Sequence, residues 1–293
     1  MPTLTIVIPA YNEAKALPET IPPVLEFCKS NHWKLIVVND GSKDETKNIL
    51  DKFSDQPRLK VLHHKVNRGY GGALKTGLAE VDTEYAVTFD ADGQHKLEDI
   101  PHLLAALQAA DADMVVGSRT LNNKDHWYRS LGKWLIRQVA SVMMPMPLKD
   151  LNSGFKLYRT DLVQQYLHLC PDSMAFSDVI TLIFLNERHR VIEEPIEVLP
   201  RKTGSSTIST KTAFETVLEI LNLVMLLNPL RIFLPISIIC MVIGFGWGIP
   251  FVIWGRGVSV GAMLAIVTGL IAFTLGLIAE QLSGIRKDGI KRK

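Results

Sequence analysis

Residues 87–95 read VTFDADGQH: an apolar, strand-like run that stops at Asp90, Ala91 and Asp92, then turns through Gly93, Gln94 and His95. Two carboxylates one residue apart at the mouth of a buried strand repel each other, and a low-dielectric setting worsens the repulsion. No cation stands beside them in the sequence, so a partner from outside the chain is expected. Two oxygen-bearing side chains at i and i+2 can meet a hard divalent ion, Mg²⁺ or Mn²⁺, whose shell is normally shared with phosphate oxygens. Gln94 adds a neutral oxygen, and Gly93 lets the backbone turn sharply. A plain acidic surface loop is the competing reading of so short a pattern. An aspartyl-phosphate phosphatase, the rival chemistry for D-x-D, needs Thr or Val where this chain has Gln94.

Outward from that stretch, short β-rich runs alternate with helical segments. LTIVIP (4–9), KLIVVND (34–40), LKVLHH (59–64), YAVTFD (85–90) and DMVVGSR (113–119) read as strands. They are continuous apolar runs, as expected of strands covered on both faces. Helices are expected over roughly 18–30, 44–54, 70–81 and 97–109. This order implies an α/β fold with a mostly parallel, Rossmann-like sheet and right-handed crossovers. Ligands of such sheets sit beyond the carboxyl ends of the strands. Pro9–Glu13, Asn39–Ser42 and Asp90–Gln94 all fall there, which makes them one candidate site. NRGYGGALKTG (67–77) fails as a phosphate loop, because both glycine patterns started at Gly69 need glycine where Leu74 stands. Its glycines fit close chain passage near a ligand and a helix start.

The 293-residue chain carries a formal charge of +2, which gives a nucleic-acid partner no electrostatic support. Its cysteines, Cys28, Cys170 and Cys240, are far apart and read as reduced thiols, not as a zinc site. The start, MPTLTIVIPAYNE, has no basic n-region, so no cleavable signal peptide is expected.

The C-terminal third is different. Residues 232–255, IFLPISIICMVIGFGWGIPFVIWG, form a run of 24 residues without a charge. As a helix it spans roughly 36 Å against a hydrocarbon core of about 30 Å. A second uncharged run, 257–279, follows at once, and the pair reads as a transmembrane hairpin. Arg201, Lys202, Lys211 and Arg231 precede it; Arg286, Lys287, Lys291, Arg292 and Lys293 follow; only Arg256 lies in the turn. The positive-inside rule then places both termini and the catalytic part on the cytoplasmic side of the inner membrane. The tail should also favour anionic lipid. Between 211 and 227, Phe214, Val217, Leu218, Leu221 and Val224 share one helical face, as in a helix lying in the membrane interface; an ordinary packing helix is the alternative. Gly244, Gly248 and Gly261 leave room for a homo-oligomeric contact within the membrane, although small residues in spans are common.

PAYNE (9–13), VVNDGSKDET (37–46), NRGYGGALKTG (67–77), FDADGQH (89–95), VVGSR (115–119) and LNSGFKLYR (151–159), taken in order, resemble glycosyltransferase family 2. More narrowly, they resemble its polyprenyl-phosphate, dolichyl-phosphate mannosyltransferase-like group. The resemblance implies a GT-A fold, a nucleotide-sugar donor and a divalent metal. Carried over by residue, Pro9, Tyr11 and Glu13 would hold the nucleoside, and Asp40 the base or ribose. Asp90 with Ala91 would sit at the sugar or ribose, and Asp92 and Gln94 on the metal bridging the diphosphate. The metal answers the repulsion in the opening stretch and offsets charge on the departing nucleotide. For the acceptor phosphate, Arg119 matches the family's arginine, and Arg201, Gly204 and Ser206 match its R-x-x-G-x-S pattern. Guanidinium forks suit phosphate oxygens. Thr207 stands where the family often has lysine. Arg129 and Lys133 could add charge, with Arg137 an equally placed competitor; a solvated or lipid-facing helix is the other reading of all three.

A lipid monophosphate has a second pKa of about 6 and is already nucleophilic at neutral pH, so no base is required. What the site must do is bring two anions together. Asp90, Asp92, Arg119 and Arg201 are the expected catalytic set. Asp178, in AFSDVI, could act as a base for a hydroxyl acceptor but more plainly orients the helix starting there. His63 and His64 read as structural; His95 could contact phosphate. The expected reaction is inverting transfer of a hexose, from a UDP-glucose or GDP-mannose type donor, to an undecaprenyl- or dolichyl-type phosphate. Transfer to a glycerolipid hydroxyl and a non-catalytic nucleotide-sugar-binding scaffold are the alternatives. The expected organisation is a GT-A domain over 1–210, an interfacial helix over 211–231, spans over 232–255 and 257–279, and a basic tail over 280–293.

Overall fold

The computed structural model describes residues 4–91, 93–119, 148, 150–151, 153–197, 218, 221, 224–225 and 228–291, with backbone alone over 286–291. These residues fall into two compact units, a sheet unit and a helical unit. Most of the interfacial helix expected over 211–231 lies outside the described residues.

In the sheet unit the elements run β1 (Leu4–Ala10), α1 (Leu17–Asn31), β2 (Lys34–Asn39), α2 (Thr46–Asp51), β3 (Leu59–His63), α3 (Tyr70–Ala79), β4 (Tyr85–Thr88), α4 (Asp99–Ala109) and β5 (Met114–Ser118). They continue as β6 (Lys156–Arg159), α5 (Thr160–Tyr166), a 3₁₀ turn at Leu167–Leu169, α6 (Phe176–Asn186) and β7 (Val191–Pro195). One seven-stranded sheet has the order β3-β2-β1-β4-β6-β5-β7. β1 pairs parallel with β2 and β4, β2 with β3, and β5 with β7. β6 alone runs antiparallel, paired to both β4 and β5. The five strands expected from the sequence are all present. β6 and β7 join them, and the sheet is mixed although mostly parallel.

Strand alternation divides the interior into two layers. Leu4, Ile6 and Ile8 of β1, Leu35 and Val37 of β2, Val87 of β4 and Leu157 of β6 enter one core with Leu17, Ile21 and Val24 of α1 and Ile100, Leu103 and Leu107 of α4. The intervening positions of β1 and β2, Val7, Ile36 and Val38, meet α3 on the opposite face at Gly77. Burying a side chain of this size stabilises by about 1.5–3 kcal/mol, which is what fixes the register. α2 is shorter than the 44–54 expected because the Asp44 carboxylate is used before the helix begins, accepting from the amides of Ala14 and Thr46.

The helical unit contains α7 (Leu230–Ile253) and α8 (Val260–Lys291). Apolar stretches of 24 residues (Leu230–Ile253) and 26 residues (Val260–Ile285) are each long and apolar enough to cross a membrane. Their large side chains point outward: Ile239, Val242, Phe245, Leu264, Leu270 and Ile278 are all exposed. A buried core helix of a soluble domain would hide such a surface, whereas a helix in hydrocarbon presents it. Ser237, Gly244, Ala262 and Ser283 are buried instead. A Cβ on Gly244 would stand 2.6 Å from Ile266 Cγ1, and one on Gly248 3.1 Å from Ala262 Cβ. Two of the three glycines read as room for an oligomer are therefore used inside the hairpin's own seam. The turn carries Arg256, whose guanidinium lies 5.7 Å from the Trp254 ring centroid.

Candidate active site

The candidate site begins where β1 ends. Pro9 is the next-to-last residue of the strand, Tyr11 is 41% exposed, and Asn12 has φ 55°. Asn has the short polar side chain that tolerates this left-handed conformation. The loop is fastened to the one after β2. The Asn12 amide donates to Ser42 Oγ (3.0 Å), the Lys43 amide to Asn12 Oδ1 (2.8 Å), and the Glu13 amide to Thr46 Oγ1 (2.9 Å). Tyr11 and Glu13 are thereby held at the carboxyl edge of the sheet.

Asp40 stands one residue beyond β2 and is 2% exposed. Its Oδ1 accepts from His64 Nδ1 (2.6 Å) and the Arg68 amide (2.9 Å), and its Oδ2 from the Gly69 amide (2.8 Å). The carboxylate therefore organises the loop leading into α3. His64 Nε2 lies 2.9 Å from Thr76 Oγ1, and His63 bridges Asn39 and Asp51, so both histidines have the structural role expected of them.

The glycine-rich segment starts α3 at Tyr70. Gly69 has φ +91°, and a Cβ there would sit 2.4 Å from the Asp172 carbonyl oxygen. The close passage expected from these glycines is made by the chain itself, at residues 171–173, with the Gly72 amide donating to Asp172 O at 3.1 Å. The same helix start delivers Tyr70, whose hydroxyl donates to Asp90 Oδ1 at 3.0 Å. Burial and the neighbouring Asp90 carboxylate raise the Tyr70 phenol well above its ordinary value, so it stays a donor throughout the neutral range. Across from it, a Cβ on Gly154 would stand 2.7 Å from the Tyr70 hydroxyl and 2.9 Å from Asp90 Oδ2. Asp90 is thus oriented by a tyrosine and given room by a glycine. Ala91 is buried, and its carbonyl accepts from Thr20 Oγ1 at 3.2 Å.

Beyond Ala91 the chain turns through Gly93, at φ 70°. Gln94 is half-buried in this turn, whereas Asp92 lies outside the described residues. The His95 ring stacks on Phe155, with centroids 4.9 Å apart, and meets Phe89 edge-on. Its packing ties the acid turn to the α4-side core, which is a structural use for a residue also read as a phosphate contact. Among the described residues no group of three or more His, Cys, Asp or Glu could hold a metal. An ion held by one or two side chains plus substrate phosphates and water needs no such cage. Gln94, half-buried after the Gly93 turn, offers one neutral oxygen of the kind such a donor set uses.

At the end of β5, Arg119 forms a two-pronged contact with Asp150, Nε to Oδ2 at 2.8 Å and an Nη to Oδ1 at 3.0 Å, and its amide also donates to Oδ2. The Asp150 fork, outweighing burial, holds Arg119 above its ordinary value, with Asp90 and Asp178 adding to the effect. Burial alone would raise Asp150, but the Arg119 contacts prevail and keep it below the usual carboxylate range. Behind this pair, Lys156 is fully buried and donates from Nζ to Leu151 O at 2.8 Å and to Ser177 O. Asp178, in the first turn of α6, is 6% exposed and among the charges around Lys156. The other acceptor-side candidates, Arg129, Lys133, Arg137, Arg201, Gly204, Ser206 and Thr207, lie outside the described residues.

Tyr70, Asp150 and Lys156 are the site residues that sequence reasoning passed over. Lys156 left a signal: one lysine inside the apolar run FKLY must bury its charge and find partners.

The profile described as "Glycosyl transferase family 2" matches residues 5–167, more than half of the chain. The chain belongs to glycosyltransferase family 2. A second profile, "GtrB C-terminal hairpin", matches residues 228–285, the two apolar helices. This family 2 glycosyltransferase is 27% identical over 299 aligned positions to undecaprenyl-phosphate 4-deoxy-4-formamido-L-arabinose transferase of Enterobacter sp. (strain 638), covering 97% of this chain and 89% of that one. Its fold is similar to that of glucosyl-3-phosphoglycerate synthase from Mycobacterium tuberculosis. The complex of that enzyme with Mn²⁺, UDP and phosphoglyceric acid gives a TM-score of 0.60 at 16% identity, over 76% of this chain and 78% of that one. Its complex with Mg²⁺ and UDP gives 0.57 at 17% identity, over 76% and 79%. The expected GT-A-like architecture is therefore borne out.

Proposed function

We propose that this family 2 glycosyltransferase transfers a hexose from a nucleotide sugar to a polyprenyl phosphate at the cytoplasmic face of the membrane, with inversion. The observation that carries this reading is the pairing, in one chain, of a family 2 site at the carboxyl edge of the sheet with a GtrB-type hairpin. A polyprenyl tail cannot leave the bilayer, so a catalytic unit with its own two apolar helices stays where that acceptor is. The name of the Enterobacter relative supports the same acceptor class.

In this reading Pro9, Tyr11 and Glu13 bind the nucleoside, and Asp40 acts by shaping the loop at 64–69 beside it. Asp90 with Ala91 faces the ribose or sugar, oriented by Tyr70. Asp92 and Gln94 would hold Mg²⁺ or Mn²⁺, which supplies positive charge to the diphosphate leaving group. Arg119 and Arg201, with Ser206 and with Arg129 and Lys133 as further candidates, receive the acceptor phosphate. UDP-glucose is the first donor to test and GDP-mannose the second. Asp178 lies buried among charges around Lys156, a poor position for accepting a proton from a lipid hydroxyl, which supports a monophosphate acceptor.

The test is transfer of radiolabelled sugar by detergent-purified protein to undecaprenyl phosphate, with diacylglycerol as the parallel acceptor. Labelled polyprenyl product released by mild acid supports the reading. Label only in the glycerolipid, or donor binding without turnover, refutes it.

A further inference from the structure

We propose that Lys156 is a positioning residue for the phosphate-receiving half of the site, its ammonium joining the Asp150–Leu151 loop to the first turn of α6 and so holding the Arg119–Asp150 fork in place. The inference rests on the function proposed above. It begins with the alternation of β6: Leu157 joins the α1–α4 core, so Lys156 and Tyr158 point to the other face, where the Tyr158 ring meets Phe184 of α6. An ammonium with no exposed surface is costly unless paired and hydrogen-bonded.

Its partners explain its place. Nζ donates to the carbonyls of Leu151 and Ser177. Leu151 follows Asp150, whose carboxylate accepts both prongs of Arg119, and Ser177 precedes Asp178. The charged and titratable groups facing Lys156 are Asp178 from α6, Asp150 from the loop before β6, Arg119 from the end of β5, and the Cys170 thiol from the loop before α6. With Lys156 protonated, the two acids and two bases balance. Loss of its proton leaves the group net negative, and an incoming dianionic phosphate is then repelled where it should be received. The neutral amine still has two N–H donors for the two carbonyls, so the change is one of charge and alignment, not of folding. Methionine would match the volume and remove both functions.

Steady-state kinetics of the full-length protein with a nucleotide sugar and polyprenyl phosphate between pH 6 and 9.5 test this, for wild type, Lys156→Met and Lys156→Arg, together with nucleotide affinity by calorimetry. The wild type is expected to lose kcat/KM for the lipid phosphate as pH rises through about 8, approaching tenfold per pH unit above it. Lys156→Met is expected to fall at least tenfold at pH 7, lose the alkaline limb and keep its nucleotide affinity. Lys156→Arg, which remains charged, should recover part of the rate without the limb. A wild-type profile flat to pH 9.5, or a Met variant with wild-type kcat/KM, overturns the proposal. The wild-type profile decides even if both variants fail to fold. Wild type inactive toward polyprenyl phosphate at every pH refutes the functional reading instead, and the proposal with it.

Discussion

Lys156 also has a thermodynamic signature that is independent of turnover. Burial, only partly offset by Asp178 and Asp150, lowers its pKa from 10.5 to about 8. Between these values the unfolded chain binds a proton that the folded chain does not, so stability rises with pH through this window. Below about pH 8 the whole penalty is present. At about 1.4 kcal/mol per pH unit it amounts to about 3 kcal/mol, of which about 2 kcal/mol is relieved between pH 7 and 9.5. For a catalytic unit of this size that corresponds to a gain of about 4–8 °C in Tm. Cys28 and Cys170 work the other way. Burial raises each thiol to about 12, so their contribution is lost as pH climbs above 9. The informative quantity is therefore the difference between wild type and Lys156→Met, in which the cysteines cancel apart from the coupling of Cys170 to Lys156. Thermal unfolding of both proteins in the same detergent at half-unit pH steps should give curves that diverge from pH 7 to 9.5, the wild type gaining on the variant. Parallel curves would refute the reasoning, because they would mean that Lys156 keeps its ordinary proton affinity when folded.

Other outcomes follow from the same site. Tyr70→Phe removes the donor to Asp90 Oδ1 and should lower kcat by about 10- to 100-fold, the worth of a hydrogen bond to a charged group, with little change in Tm; steady-state kinetics and a melting curve check both. Gly154→Ala places a methyl group 2.7 Å from the Tyr70 hydroxyl and 2.9 Å from Asp90 Oδ2, so it should cost about 1–3 kcal/mol of stability and most of the activity. Arg119→Lys retains the charge but not the fork and should weaken turnover with the lipid phosphate by roughly tenfold or more while leaving nucleotide affinity intact. Exhaustive chelation should abolish sugar transfer, and added Mn²⁺ or Mg²⁺ should restore it, as followed by product formation.

What could be read in the sequence was what periodicity controls. The runs at 4–9, 34–40, 59–64, 85–90 and 113–119 are continuous and apolar, and each became a strand. β6 was harder to see because Lys156 interrupts FKLY with a charge whose partners, at Leu151 and Ser177, cannot be inferred from spacing. β7 is half-polar, VIEEP, and only partly buried, so it lacks the apolar run that marked the others. The same limit applied in the site. Asp90 was legible from its position at a strand end, and Arg119 from the likeness of VVGSR to a family motif. That Asp40 turns inward to bind the 68–69 amides, and that Gly69 faces the Asp172 carbonyl, depends on long-range contacts without a local pattern.

The described half of the site divides into two kinds of acid. Asp40 and Asp150 have their charge met by the chain, one by a histidine and two amides, the other by an arginine fork. Asp90 accepts from a neutral phenol that orients it and adds to the field that holds Arg119 above its ordinary value. Burial and the Asp90 carboxylate keep that phenol protonated, so Tyr70 brings this carboxylate a hydrogen bond and no charge of its own. A carboxylate at this edge is favourable beside a cation or a carbon gaining positive charge. Replacing Tyr70 with a base such as Lys would add a positive charge directly beside the carboxylate and weaken that preference. Y70K should therefore be less active than Y70F in steady-state kinetics; equal activity of the pair would show that Asp90 acts by shape and not by charge.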